Sequence, residues 1–430
     1  MIKLELKRII SRFKTRLVEL WKLKIFRYSV LIHIFFFIFS TFITLFGFRS
    51  QSDFYVYYRV GEIFVKDPNN LYNPLYYDDI WPFRYFPLSA IMFVPYYLMG
   101  FELGFITFNL INLFLNIIIS IILYKIVMLV RGTDHEMEDK RVVLYICLYI
   151  IGLPQLFNYI LGQINLYVTL LILLSLFIFI KYSDTKRSFL ASVILGISII
   201  IKPTTFFMIP FIIIIGYNYE RKKITLNLSK SVLMLIGVIL PVSLNIFLFL
   251  AYPNLLNGFL STNFTGSETV LLNHSFSITK IISNLFLYFG VSSGEMSATP
   301  IFLGVLLIIG VMGFIFYLFR KSHVNQWIFG YIFGILIMFL AYFDTWDHHL
   351  LQVIPLLILA MFNLPRNSTL TRKYIKPGFI FLNFLGLIFT GIFFLTRPFF
   401  PFNVASTIFL ILIFIGVSKY CLKKKNDAKN

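Results

Sequence analysis

Charge is what this sequence has least of. Asp, Glu, Lys and Arg together make up 13% of its 430 residues, about half the share usual in a soluble globular domain. Cysteine occurs only twice: Cys147 sits inside an apolar run and Cys421 near the basic C-terminus. That usage excludes a disulfide framework, and both thiols read as structural. There is no Walker A loop, which speaks against ATP-driven transport, and no HExxH zinc-hydrolase motif. No small-residue cleavage site follows the first apolar run, so that run (roughly 28–48) reads as an uncleaved signal anchor. No soluble catalytic domain or long linker is expected, so one membrane domain, residues 1–430, must carry the function.

What is abundant is apolar surface: 59% hydrophobic residues, including 52 Phe. Runs approaching 20 apolar residues mark membrane-spanning helices. The net charge of +19 could suggest a nucleic-acid partner, but the basic residues fall in short segments between apolar runs. That is how cytoplasmic loops look, so no nucleic acid is expected.

Candidate spans lie near 28–48, 104–130, 142–159, 163–181, 189–201, 203–217, 229–251, 299–320, 327–343, 350–363, 377–395 and 404–420. With the N-terminus inside, 31 of the 38 Lys and Arg fall on the inner side. The seven outside are Arg49, Arg59, Lys66, Arg84, Lys202, Lys280 and Arg397, whereas acidic residues split 9 to 10. Only basic residues obey the bias, as the positive-inside rule requires. The segment 87–99, "PLSAIMFVPYYLM", would invert every later span if it crossed, so it reads as a helix in the outer interface. The expected frame is a basic cytoplasmic tail (1–27), a first outer loop with interfacial helices (49–103), a second large outer loop (252–298) and a cytoplasmic C-terminal tail (421–430).

Four polar stretches then fall on one side. In "DFYVYY" (53–58), Asp53, Val56/Tyr57 and Val60 have helical spacing, with Asp53 at the N-terminal turn. An aspartate there serves either as an N-cap or as a carboxylate base held at the membrane surface. In "RYFPL" (84–88), Arg84 could hold an anionic headgroup, and the preceding Asp78 and Asp79 a metal or simply a solvated loop. "GQIN" (162–165) and "IKPT" (201–204) put Gln163, Asn165 and Lys202 at membrane depth, where polar groups are costly. Lys202 is the only charge in 189–217 and stands beside Pro203. It either snorkels to the interface or faces a cavity as a phosphate site. "DTWDHH" (344–349) gathers Asp344, Asp347, His348 and His349. Adjacent histidines on a helix rarely ligate one ion together, so hydrogen bonding to phosphate or sugar is the better reading than a metal.

These motifs, in this order, resemble the GT-C-type integral-membrane glycosyltransferases, and within them glycosyltransferase family 87, the polyprenol-phosphate-mannose-dependent mannosyltransferase-like proteins. One departure is Phe86, where relatives often carry a proline before Pro87. The resemblance implies an all-α polytopic GT-C-like fold; the apolar runs and the Lys and Arg count predict about 12 membrane helices with both termini cytoplasmic, in a plasma (inner) membrane. It implies transfer of mannose or a similar sugar from a polyprenyl-phosphate donor to a lipid or glycan acceptor on the non-cytoplasmic face, with no cofactor and no metal. Asp53 would be the general base of an inverting attack. Lys202, His348, His349 and Arg84 would serve the donor phosphate, and Tyr57, Tyr58, Gln163, Asn165 and Asp347 the substrates. Short broken helices with a buried lysine also suit a transporter or flippase for a lipid-linked sugar, and similar substrates would suit a polysaccharide polymerase or ligase.

Overall fold

The protein is described here by a computed structural model covering residues 18–77, 81–131, 136–264, 273–292, 296–365, 368–399 and 404–423. Asp78 and Asp79 lie outside the described residues. Among the described residues, seven helices are long and apolar enough to cross a membrane: Lys24–Gly47, Phe101–Arg131, Lys140–Leu161, Leu228–Ala251, Ala298–Leu318, Thr371–Thr396 and Val404–Leu422.

The shorter helices expected as spans owe their length to position. In Gln326–Ala341 every residue from Ile328 onward is buried, and Leu350–Asn363 is buried almost throughout. Only 17% of the apolar window of Ala298–Leu318 is buried, so that helix faces lipid. A lipid-facing helix must match a hydrocarbon layer of about 30 Å, whereas a helix ringed by protein need not. Helices Thr185–Ile201 and Leu228–Ser243 pack closely because small residues meet at their contact. A Cβ on Gly196 would lie 2.4 Å from the Val238 carbonyl oxygen.

Residues 203–217, expected to form one span, do not. Pro203–Met208 is a 3₁₀ helix, Ile209–Ile212 one further turn, and Ile215–Asn218 a β-strand. That strand pairs antiparallel with Lys223–Leu226, from Ile215↔Leu226 to Asn218↔Lys223. Two prolines in the first eight residues shorten the helix. The charged turn Glu220–Arg221–Lys222, with Lys222 at φ 50°, closes a hairpin outside the apolar layer. The fold is therefore the expected α-helical polytopic one, with one small hairpin added. The segment 87–99 is also subdivided, into the 3₁₀ helix Pro87–Phe93 and the α-helical turn Val94–Leu98.

Helix Asp53–Lys66 forms as its spacing predicts, burying Phe54, Val56, Tyr57, Val60, Gly61 and Ile63. With Phe83, Phe93, Tyr96, Phe101, Phe105 and Phe108 these make an aromatic core separate from that of the bundle. The second long loop carries helices Pro253–Phe264 and Ile278–Tyr288. Phe86, the departure noted above, stacks on Phe259 of the former at 4.9 Å.

Helix direction sorts the chain into two ends. Lys230 Nζ reaches the Ser183 carbonyl, Arg320 the Ile215 carbonyl, and the Lys321 amide the Cys421 carbonyl at one end. At the other end lie 49–77, 162–165, 202–204, 273–280 and 342–349, the segments that carry the polar motifs.

Candidate functional site

Ser52, not Asp53, caps helix Asp53–Lys66: its Oγ accepts the Tyr55 amide at 3.3 Å. Capping therefore leaves the Asp53 carboxyl uncommitted. By area Asp53 is half-buried, and burial is the largest influence on its carboxyl and raises its pKa. The Gln163 amide and the Lys202 charge oppose that shift, and the charge of Asp344 adds to it.

Gln163 reaches Asp53 because of a turn. Helix Leu153–Leu161 ends at Gly162 in the left-handed region (φ 65°), and the Gln163 amide closes onto the Asn158 carbonyl at 2.9 Å. A Cβ on Gly162 would lie 2.6 Å from Phe54 Cβ, so glycine is needed for conformation and for space. Gln163 Oε1 accepts from the Tyr57 hydroxyl at 3.0 Å and from Lys202 Nζ at 3.3 Å. With its oxygen so engaged, the Gln163 NH₂ is the group left to bond Asp53.

Lys202 stands where helix Thr185–Ile201 stops, in extended conformation before Pro203. It is 3% exposed, so it does not snorkel. Its Nζ donates to Asn165 Oδ1 at 3.0 Å as well as to Gln163, and lies 5.8 Å from the Tyr85 ring centroid. Desolvation lowers its pKa, while Asp53 and then Asp344 favour its charge. Asn165 Oδ1 also accepts from Gln352 at 3.1 Å, and Gln352 Oε1 from Thr204 at 3.3 Å. Gln163 and Asn165 thus hold the ammonium, and Gln352 and Thr204 extend the network behind Asn165.

The turn at 344–349 completes the ring. Asp344 pairs with Arg84 at 3.1 Å and accepts the Trp346 indole N–H. His349 Nδ1 accepts the Trp346 amide at 2.9 Å. Burial, then the Lys202 charge, push both His348 and His349 well below the ordinary imidazole range. Both rings are therefore neutral near pH 7, and His349 presents its Nε2–H as a donor. His348 stacks on Phe157.

Not every expected residue joins this ring. Tyr57 is buried with one ring face stacked on Phe93 at 4.5 Å, which makes it a support for Gln163 and closes that face to a sugar. Tyr58 packs on Tyr97 and Phe101, on a different face of the helix. Asp347 turns to the C-terminal helices: Thr390 Oγ1 donates to it at 2.8 Å and His274 Nε2 lies 3.7 Å away. Among the described residues no three His, Cys, Asp or Glu group as a metal site. The string GVSSG at 290–294 has the spacing of a nucleophile elbow, but helix Ile278–Tyr288, not a strand, precedes it.

Tyr85, Gln352, Lys280 and His274 were not singled out from sequence. Gln352 carried the same signal as Gln163, an amide inside an apolar run, and Lys280 is a lone cation on an apolar helix. Nothing in sequence distinguished Tyr85 among 25 tyrosines.

No curated protein matches the chain. The sequence model of glycosyltransferase family 87 matches residues 83–342, which is 260 of the 430 residues. The matched stretch holds Arg84, Gln163, Asn165, Lys202 and Lys280; Asp53 and the turn at 344–349 lie on either side of it. A match over three-fifths of a polytopic helical chain shows that it belongs to glycosyltransferase family 87 and is a multi-pass membrane glycosyltransferase.

Proposed function

We propose that the protein transfers a sugar, mannose or a similar hexose or pentose, from a polyprenyl-phosphate carrier to a lipid or glycan acceptor, with inversion. The observation that carries this reading is Asp53: it is relieved of capping by Ser52, tethered by Gln163 and set beside the buried Lys202. In the reaction the acceptor hydroxyl oxygen attacks the anomeric carbon. The bond from that carbon to the phosphate oxygen breaks, its electron pair leaves with the polyprenyl phosphate, and Asp53 takes the hydroxyl proton. Negative charge grows on the leaving phosphate, where fixed cations and donors stabilise it. Lys202 and Arg84 supply charge, and the neutral His348 and His349 supply hydrogen bonds. Gln163 and Asn165 hold Lys202 in place, and the reading needs no cofactor or metal.

The distribution of Lys and Arg supports both termini on the cytoplasmic side of a plasma (inner) membrane and the site on its non-cytoplasmic face. Membranes containing the protein, incubated with labelled polyprenyl-phosphate sugars and endogenous acceptors, test the reading. Transfer by the wild type that Asp53→Asn abolishes is expected. Equal transfer by both, or use of a sugar nucleotide alone, refutes it.

A further inference from the structure

Lys280 is a buried charged residue that the mechanism above leaves unused. It lies in the first turn of helix Ile278–Tyr288 and is 4% exposed. Its turn is fastened on both sides of Asp344. Thr279 Oγ1 donates to the Ala341 carbonyl at 2.5 Å, Ser275 Oγ pairs with Thr345 Oγ1 at 2.9 Å, and the Phe276 amide bonds the Thr345 carbonyl at 3.1 Å. From the first outer loop Arg84 meets Asp344 at 3.1 Å. Burial lowers the pKa of Lys280 to about 8; the Asp344 charge opposes that shift and the Arg84 charge adds to it. Two cations from distant parts of the chain therefore converge on one carboxylate. Asp344 is the open member, with its side chain 39% exposed against 15% for Arg84.

We infer that Arg84 and Lys280 form the seat for the phosphate of a prenyl-phosphate ligand, and that Asp344 holds that seat until the phosphate displaces it. The inference rests on the polyprenyl-phosphate reading and names two residues for its leaving group. Charge supports it. The donor is a phosphodiester with one negative charge, whereas the departing monoester carries close to two near neutral pH. Arg84, Lys280 and Asp344 together carry a net charge of +1, so the seat is balanced by the donor and attracts the leaving group more strongly. Arg84 offers the planar fork suited to phosphate oxygens and Lys280 a compact point charge.

Binding of farnesyl phosphate, farnesol and inorganic phosphate to the full-length protein in lipid nanodiscs tests this. Wild type, Lys280→Met, Lys280→Arg and Asp344→Asn are compared. Farnesyl phosphate is expected to bind wild type more tightly than either farnesol or inorganic phosphate. Lys280→Met should weaken it by about tenfold or more, the scale of one lost charge-assisted hydrogen bond, and Lys280→Arg should restore most of the loss. Asp344→Asn should bind it several-fold more tightly, an increase that damage to the fold would not produce. Wild type that does not distinguish farnesyl phosphate from farnesol overturns the donor reading itself. Wild type that does, with Lys280→Met unchanged or with Asp344→Asn weakened, overturns the seat alone. Inorganic phosphate binding as tightly as farnesyl phosphate would show a site for a free anion and overturn the lipid assignment.

Discussion

Ser52 and Asp53 are neighbours of similar capping ability, and only one of them caps. Ser52 holds the helix N-terminus, so removing the Asp53 charge should spare the helix. Asp53→Asn is expected to lose about 10²-fold or more in turnover, the scale of a lost general base, with unchanged membrane insertion and thermal stability. Ser52→Ala should do the reverse, costing about 1 kcal/mol of stability while most activity survives. Near-normal turnover in Asp53→Asn would remove the base from the mechanism. The pH profile gives a second test. Asp53 must be ionised to accept a proton, and burial first of all raises its pKa to about 6. Activity should therefore fall as pH drops through that region, above the range of an ordinary aspartate. Lys202 favours the ionised form, so Lys202→Met should move the acidic limb of kcat/KM to higher pH as well as lower its plateau. A limb that stays in place would show that the two groups do not sense each other.

At the scale of elements, the site depends on three helix endings. Helix Leu153–Leu161 ends at left-handed Gly162, Thr185–Ile201 at extended Lys202, and Gln326–Ala341 just before Asp344. Each ending frees side chains from the helical period and aims them at Asp53 or Asp344. Gly162 is the tightest of the three. Gly162→Ala would cost roughly 1–2 kcal/mol for handedness alone, and more from overlap with Phe54, whose Cβ lies 2.6 Å from the new atom. The expected outcome is a lowered melting temperature and a larger loss of activity, because Gln163 moves with the turn. Gly391 is the control: it lies within helix Gly386–Thr396, and nothing lies within 4 Å of a Cβ built there. Gly391→Ala should melt no earlier than wild type, since alanine favours a helix over glycine. Equal melting of Gly162→Ala and wild type, measured on purified protein, would contradict the turn's role.

For the whole molecule, the question is which end faces which side. Every residue of the ring around Asp53 gathers at one end, and the hairpin with its basic turn lies at the other. Thr345 is fully buried and makes a poor reporter, whereas Leu75 is 85% exposed and Glu220 lies on the exposed hairpin turn. A cysteine at Leu75 should react with an impermeant thiol reagent in intact cells, and one at Glu220 only after permeabilisation. Cys147 and Cys421 are buried and add little background. The opposite labelling pattern would place the active end in the cytoplasm.

The amino-acid sequence by itself determined the membrane character, most helices and the short roll of polar residues worth weighing. Hydropathy adds up locally along the chain, and a polar group inside an apolar run stands out because burying it is costly. Gln163, Asn165 and Lys202 were visible on that basis, and Asp53 by its place at the N-terminal turn of an amphipathic stretch. The tertiary structure decided how those residues are used. Tyr57 and Tyr58 look alike in sequence, but one supports Gln163 and the other packs on Phe101, because successive helical residues point about 100° apart. Asp347 and His348 are neighbours too, yet one turns to Thr390 and the other feels the charge of Lys202. The span expected at 203–217 became a broken helix and a strand because proline and turn chemistry outweigh hydropathy over so short a stretch. Arg84 and Asp344 are 260 residues apart. No local count anticipates that contact, because it exists only once packing has closed the chain between them.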